Sequence, residues 1–393
     1  MCGPIPNSGF GPIDAGKVVH QPMIRQPQPE EIILKADRTQ CHNDNDDLER
    51  ILVIQTAFLG DLILTLPLFQ AIKDTLPGAQ VWALVIPSTA EILAGHPAVA
   101  GSLVYDKRGR DRGWSGFRHS VRRVRDGHFN LALVPHRSLR SALLAFAARV
   151  PRRLGFWSSP GFFLFSRQVV RRQNAHEVDR NIDLWRALGF QCPTQAPRVY
   201  PRAEDRRQAQ DFLSRQGIPG DQALVGIAPG SMWATKRWLP EGFAQVIREL
   251  REKRNAQAVL LGSSAERELC RKIAREAGGN VPVATGELSP MPAAALMQRC
   301  HLVLSNDSAA AHLAAAVDRP VVVIFGPTVP DFGFAPFGPK HIVVQKQLDC
   351  RPCGIHGGRR CRRNTFACMK EIMPQQVLDA VFTILDRGEE VDR

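Results

Sequence analysis

The sequence predicts an α/β protein made of two parallel-sheet domains that face a central cleft. Three observations predict it. The chain has 393 residues, 44% of them hydrophobic, which is enough for two domains with a core each. From Leu48 onward, short β-branched apolar runs alternate with helical periodicities, the pattern of βαβ units. The alternation also falls into two series, joined by PRVYPRAEDRRQAQDFLSRQG (197–217), which reads as an extended segment and an exposed helix crossing between domains. The expected division is therefore a flexible extension over 1–47, an N-terminal domain over 48–200, and a C-terminal domain over 201–393 that ends in a helix.

The first 47 residues are polar and rich in Pro, Gly and Asn, with no sustained period, so they read as an extension without a core. The acidic NDNDD at 43–47 resembles a metal motif, but its setting makes it a solvated lead into the first strand. ILVIQTAF (51–58) is a buried strand. Leu62, Leu66, Phe69 and Ile72 recur at helical spacing and predict a helix over 62–75. QVWALVIP (80–87) is the next strand, followed by a helix near 89–95 and a third strand, SLVYD (102–106). The arginine-rich 112–126 makes a helix and NLALVPH (130–136) a fourth strand. The second series opens with the strand ALVGIAPGS (223–231), a helix at 240–253 and the strand AQAVLLGSS (256–264). A helix near 265–277, a strand at VPVATG (281–286) and a helix near 290–299 follow. The strand HLVLSND (301–307), a helix near 308–317 and the strand PVVVIFGPT (320–328) complete it.

Composition narrows the function. No apolar run reaches the roughly 18 residues of a membrane span, and MCGPIPNSGFGPIDAG lacks the basic start and apolar stretch of a secretory signal. The expected location is the cytoplasm, where thiols stay reduced. Of nine cysteines, Cys350, Cys353, Cys361 and Cys368 cluster with His356 in CRPCGIHGGRRCRRNTFAC. The first pair has zinc-ligand spacing, the second does not, so a structural zinc site stands beside a reading as idle thiols. The net charge of +13 is local: 16 Lys or Arg lie between Lys107 and Arg172 against two carboxylates, Asp111 and Asp126. Such a stripe suits nucleic acid, anionic lipid or an acidic substrate, or it is simply a solvated surface. No nucleic-acid module accompanies it.

In open parallel sheets, ligands bind at the carboxyl ends of strands. Asp61 follows the first strand, after Gly60, where an acid can cap a helix or do chemistry. PGSMWATKRW (229–238) gathers Ser231, Thr235 and Lys236 at a strand end and suits a phosphate, although it lacks Walker spacing. LLGSSAERE (260–268) places Glu266 in a first helical turn, where it either caps the helix or meets a ribose. SNDSAAAHLAAA (305–316) runs from a strand straight into a small-residue helix, with Asp307, Ser308, Ala309 and His312 at its start. Anion-suited strand ends in one half, and a carboxylate with a basic stripe in the other, suggest group transfer from a nucleotide-activated donor to an anionic acceptor. Without a DxD-type motif at a strand end, Lys236 and helix N-termini would handle the diphosphate.

FLGDLILTLPLFQAIK, PHRSLRSALLA with PRRLGF, HEVDRNIDLW, PGSMWATKRWLPEGFAQVI, SNDSAAAHLAAAVDRPVVVIFGPT and the cysteine-bearing end together resemble glycosyltransferase family 9, the ADP-heptose:lipopolysaccharide heptosyltransferases, and within it the heptosyltransferase II branch. The resemblance covers roughly residues 50 to 385. It implies a GT-B fold of two Rossmann-like domains and transfer that inverts the anomeric carbon. Asp61 matches the family's general base. Lys236, with Thr235 and Ser231 beside it, matches the lysine that meets the donor diphosphate, and Glu266 the acid near ribose and adenine. Asp307, Ser308 and His312 match a D-[ST]-G-x-x-H motif, in which Ala309 replaces the usual glycine. The implied donor is ADP-heptose, with no required cofactor and the use of a divalent cation open. The implied acceptor is an anionic, Kdo-bearing lipopolysaccharide precursor at the cytoplasmic face of the inner membrane, where the protein would be peripheral. Arg118, Arg122, Arg123 and Arg125, on one helix, are the expected acceptor contacts. The rival readings are the same fold with another nucleotide sugar or glycan, a GT-B sugar-nucleotide epimerase, and a nucleic-acid binder.

Overall fold

The computed structural model describes residues 48–218 and 222–391, so the expected extension over 1–47, with its acidic run, lies outside them. β1 (Arg50–Gln55) is buried from Ile51 onward, as its unbroken apolar run requires. It leads into α1 (Leu59–Thr75), then β2 (Gln80–Val85), a 3₁₀ turn over Pro87–Leu93, and β3 (Gly101–Val104). Next come α2 (Gly113–Asp126), β4 (Leu131–Val134), α3 (Leu139–Ala147), β5 (Arg152–Phe156) and β6 (Arg167–Val169). All six strands pair in parallel in the order β3-β2-β1-β4-β5-β6. Two helices then cross between the halves, α4 (Glu177–Arg186) and α5 (Ala203–Arg215).

The second half holds β7 (Leu224–Ala228), α6 (Pro240–Arg254), β8 (Gln257–Leu260), α7 (Arg267–Ala277) and α8 (Pro290–Arg299). β9 (Leu302–Asn306), α9 (Ala309–Ala316), β10 (Val321–Phe325) and β11 (Ile342–Gln345) follow. The chain finishes with α10 (Ala367–Lys370) and α11 (Pro374–Val391). This sheet is also parallel, in the order β11-β10-β9-β7-β8.

Four expectations need correction. VPVATG (281–286) is not a strand: it makes one parallel bridge, Val283 to Leu260, because Pro282 cannot donate to a ladder and the chain turns at Gly286 with φ +74°. The expected helix near 89–95 is the 3₁₀ turn, set by Pro87 at its start. The first helix begins at Leu59 rather than after Asp61, so Asp61 is its third residue. α5 is not simply exposed, since Phe212 and Leu213 bury their side chains in the main core.

One hydrophobic cluster runs through both halves, joining Ile51, Leu62 and Phe69 to Leu296, Val303 and Phe325. A second lines the far face of the C-terminal sheet, and a third lies between the N-terminal sheet and helices α2 and α3. α1 and α4 therefore occupy one face of the N-terminal sheet, and α2 with α3 the other. α1 also packs on α9 of the opposite half. The fold is GT-B, two Rossmann-like domains facing each other.

Candidate active site

α1 is apolar nearly all round, from Leu62 to Phe69, because it is covered on several sides. Its first turn carries the one acid. Asp61 Oδ2 accepts from the Phe58 amide at 3.2 Å, one half of a capping box that phenylalanine cannot reciprocate. Burial, and then the negative charge of Glu177, raise the Asp61 carboxyl to about 6, restrained by the Phe58 amide and by Lys236. Gly60 lets the two halves approach. A Cβ there would lie 3.0 Å from His312 Cδ2.

Opposite stands the C-terminal half. Lys236 Nζ lies 2.5 Å from Asp307 Oδ2, which also accepts from Thr328 Oγ1 at 2.6 Å. Thr328 is the hydroxyl that closes FGPT, so the ends of β9 and β10 are tied together through Asp307. The Ser231 hydroxyl donates to the Asp307 carbonyl at 3.5 Å, and Asn306 bridges the strand ends by accepting from Trp238 N and donating to Pro229 O. Ser308 caps α9 in extended conformation with its hydroxyl 3.1 Å from that of Ser305, which leaves the first amides of the helix open toward the cleft. His312, one turn on, is pushed down to about 4 by burial and is therefore neutral, and its Nδ1 has no partner among the described residues.

These residues surround one cavity of about 750 Å³. Asp61, Ser231, Lys236, Glu266, Asp307, Ser308, Ala309 and His312 all line it. Glu266 also caps its own turn, with Oε2 accepting from Ser263 N at 2.7 Å and Oγ at 2.9 Å, and Gly230 leaves the space its carboxylate fills. Thr235 is not on the wall. Its hydroxyl donates to Gly358 O and accepts from Gly358 N, and so fastens the 350–363 segment beside Lys236. That segment adds Ile355 and His356 to the lining. Sequence reasoning missed the apolar wall of Leu288, Pro290, Ala293 and Met297, which is indistinguishable from core in a sequence. It also missed Glu91, whose Oε1 accepts from Ser289 Oγ and Met291 N at the start of α8.

Arg118, Arg122, Arg123 and Arg125 are not brought to the cavity. α2 lies on the sheet face turned away from α1, with Arg123 donating to Val104 O and Arg125 to Ala147 O. Other basic residues of the same stripe stand at the strand ends. Lys107 Nζ donates to Thr56 O at 2.8 Å, and Thr56 Oγ1 lies 3.1 Å from His136 Nδ1 and from Ser141 Oγ. Burial, with Lys107 and Arg137, holds His136 down at about 4. Arg137, the next residue, is exposed just beyond the end of β4. The signal for His136 and Arg137 was PHRSLR, at the end of β4. Of the two readings of the cysteine cluster, zinc finds no support: all four thiols are free, and among the described residues no three His, Cys, Asp or Glu side chains converge to hold a metal ion. No helix among the described residues is long and apolar enough to cross a membrane.

A parallel-sheet pair with an acid on one wall, and a lysine and a helix N-terminus on the other, defines a transferase of nucleotide-activated groups. The sequence model of glycosyltransferase family 9 (heptosyltransferase) matches residues 117–359. The chain is 26% identical to lipopolysaccharide heptosyltransferase 2 of Salmonella typhimurium, over 86% of this chain and 98% of that one. It is 31% identical to lipopolysaccharide heptosyltransferase 1 of Pseudomonas aeruginosa, over 77% of this chain and 86% of that one. Its fold matches the crystal structure of the family 9 glycosyl transferase of Veillonella parvula with a TM-score of 0.78 and 24% identity, over 87% of this chain and 98% of that one. The chain belongs to glycosyltransferase family 9, the heptosyltransferases.

Proposed function

We propose that the protein transfers a heptose from ADP-heptose to the inner core of a lipopolysaccharide precursor, with inversion and with Asp61 as general base. The observation that carries the reading is that Asp61 faces Lys236 and the α9 N-terminus across a single cavity. Asp61 takes the proton of an acceptor hydroxyl, whose oxygen forms the new bond to the anomeric carbon. The bond from that carbon to the diphosphate breaks on the opposite face, and ADP leaves with the electron pair toward Lys236 and the open amides near Ser308. The apolar wall from Leu288 to Met297 receives the adenine and Glu266 the ribose. His312, neutral and with Nδ1 unpaired, is available to the sugar. The acceptor's anionic groups lie against Lys107 and Arg137 beyond the ends of β3 and β4, rather than against the four α2 arginines. Because that acceptor is lipid-borne, the protein works as a peripheral protein at the cytoplasmic face of the inner membrane.

The test is ADP release from ADP-heptose, with and without a heptose-deficient lipopolysaccharide acceptor. Asp61→Asn should lower acceptor-dependent release by about 10³-fold while ADP still binds. Arg137→Glu should raise the acceptor KM, and Arg122→Glu should leave it unchanged. A wild-type rate in Asp61→Asn would reduce Asp61 to a helix cap.

A further inference from the structure

The charge stripe and the exposed apolar side chains of the N-terminal half meet on one surface that the transfer site does not use. Five of the ten exposed large hydrophobic side chains among the described residues fall between residues 139 and 163. Leu139 (47% exposed) and Phe146 (49%) are seven residues apart on α3 and share a helix face. Trp157 (51%), Phe162 (41%) and Phe163 (64%) belong to the segment after β5. That segment lies directly on α3: a Cβ at Gly161 would come 2.6 Å from Ala142 Cβ and 3.3 Å from Leu139 Cα. The Phe162 and Phe163 rings meet edge to face at 5.7 Å, with the neighbouring turn closed by Phe162 N donating to Ser159 O. Water-facing aromatics held this rigidly, side by side, are not scattered surface residues.

The stretch of chain that carries all five, from Leu139 to Phe163, and its flanks are charged with one sign only. Between Asp126 and Glu177 the chain has no carboxylate and carries eight arginines. The Arg153 guanidinium sits over the Phe146 ring at 5.4 Å, exposed Arg149 follows α3, and Arg125 reaches the carbonyl of Ala147 at its end. Aromatic rings that can enter an interface, carried on a stretch of chain with eight arginines and no acid, fit an anionic bilayer, where each ring inserts at headgroup depth and each cation meets lipid phosphate. The same α3 starts beside the acceptor side of the cleft, where its buried Ser141 bonds Thr56 just after β1.

We infer that Leu139, Phe146, Trp157, Phe162 and Phe163, with the arginines around them, form the surface by which the protein docks on anionic membrane lipid. The inference deepens the proposed function, on which it rests for the lipid-borne acceptor, and it sets the cleft mouth beside the bilayer that carries that acceptor.

The experiment is co-sedimentation of the full chain with vesicles of phosphatidylethanolamine and phosphatidylglycerol, or of phosphatidylcholine alone. The wild type should bind the anionic vesicles and not the neutral ones. A Trp157→Ser/Phe162→Ser/Phe163→Ser variant should lose roughly tenfold or more in partitioning. It should keep its ADP affinity, melting temperature and turnover of a deacylated, water-soluble acceptor, and lose turnover of the same acceptor embedded in vesicles. Arg149→Glu should weaken partitioning and flatten the difference between the two vesicle types. Equal vesicle binding by wild type and triple variant overturns the inference, as does a wild type that ignores anionic vesicles. A wild-type dimer that the triple variant dissolves overturns it too, by giving the surface to a second copy. Vesicle binding through this surface without any heptosyl transfer would remove the proposed reaction and leave the docking surface standing. Transfer to the soluble acceptor without vesicle binding would do the reverse.

Discussion

Asp61 is where the chemistry of a single side chain can be read most directly. Its carboxyl stands at about 6 because burial and Glu177 oppose ionisation more than the Phe58 amide and Lys236 favour it. The rate constant kcat/KM should therefore rise with pH through a limb near 6, as the carboxylate forms. Glu177 is held between Arg171 at 2.5 Å and Arg180 at 3.0 Å. Glu177→Gln removes a negative charge near Asp61 and leaves two cations less compensated. Both effects lower the Asp61 value, so the limb should move to lower pH; an unmoved limb would separate Glu177 from the base. The same shift acts on stability with a definite sign. A carboxyl raised in the folded state favours folding at low pH, and that contribution is lost as pH climbs from about 4 to about 6. Above that window Asp61→Asn should be the more stable protein, by on the order of 1–2 kcal/mol after allowance for its partial exposure. In the sequence Asp61 had two readings, cap and base. The structure shows the cap directly, in the bond to Phe58 N, and adds the burial that makes a base useful.

At the level of elements, the contact of α1 with α9 sets the width of the cleft. Gly60 is the point of approach, with His312 one atom's reach away. Gly60→Val would press two methyl groups on the imidazole and on the Ala309 backbone. A cost of about 1–3 kcal/mol in stability is expected, with a larger loss in kcat than in ADP affinity, because α1 carries the proposed base while α9 keeps its own amides. Denaturant unfolding and ADP titration of the variant check both halves of that statement. Most elements were legible because buried parallel strands are long apolar runs, and β1, β7, β9 and β10 are buried along almost their whole length. The structure reveals β5, β6, α3 and α4 where sequence periodicity gave no element. β5 and β6 are short and open with arginines, and α4 buries Asp179, Arg180, Asn181 and Asp183, which a hydrophobic period counts as surface. The cavity residues of the C-terminal half were legible at strand ends, where polar residues interrupt apolar runs. The basic residues proposed to meet the acceptor were not, since they come from separate loops and a stripe of 16 cations does not say which few stand at the strand ends.

Across the whole molecule the two halves are one structure in the described state. The main core cluster contains side chains of both, and polar contacts lace their margin. Glu177 N donates to Gly333 O at 2.8 Å, His176 Nε2 pairs with Ala335 O at 2.9 Å, and Arg180 Nη1 donates to Phe332 O at 2.9 Å. Arg180 is the hub. It is 2% exposed and also pairs with Glu177 and donates to the carbonyls of Arg172 and Gln173. Its truncation strands three carbonyls and part of a carboxylate in the interior, a class of change that costs about 3–5 kcal/mol. A shared core predicts that calorimetry shows one unfolding transition for the wild type, in place of two independent melts. Arg180→Ala should then lower that single transition by roughly 4–7 °C, moving the N-terminal and C-terminal halves together. Two resolved transitions in the wild type would mean that the halves fold as separate units. A variant that melts only its N-terminal half early would show that the margin contacts, and not the common core, carry the coupling between Asp61 on α1 and Lys236 across the cleft.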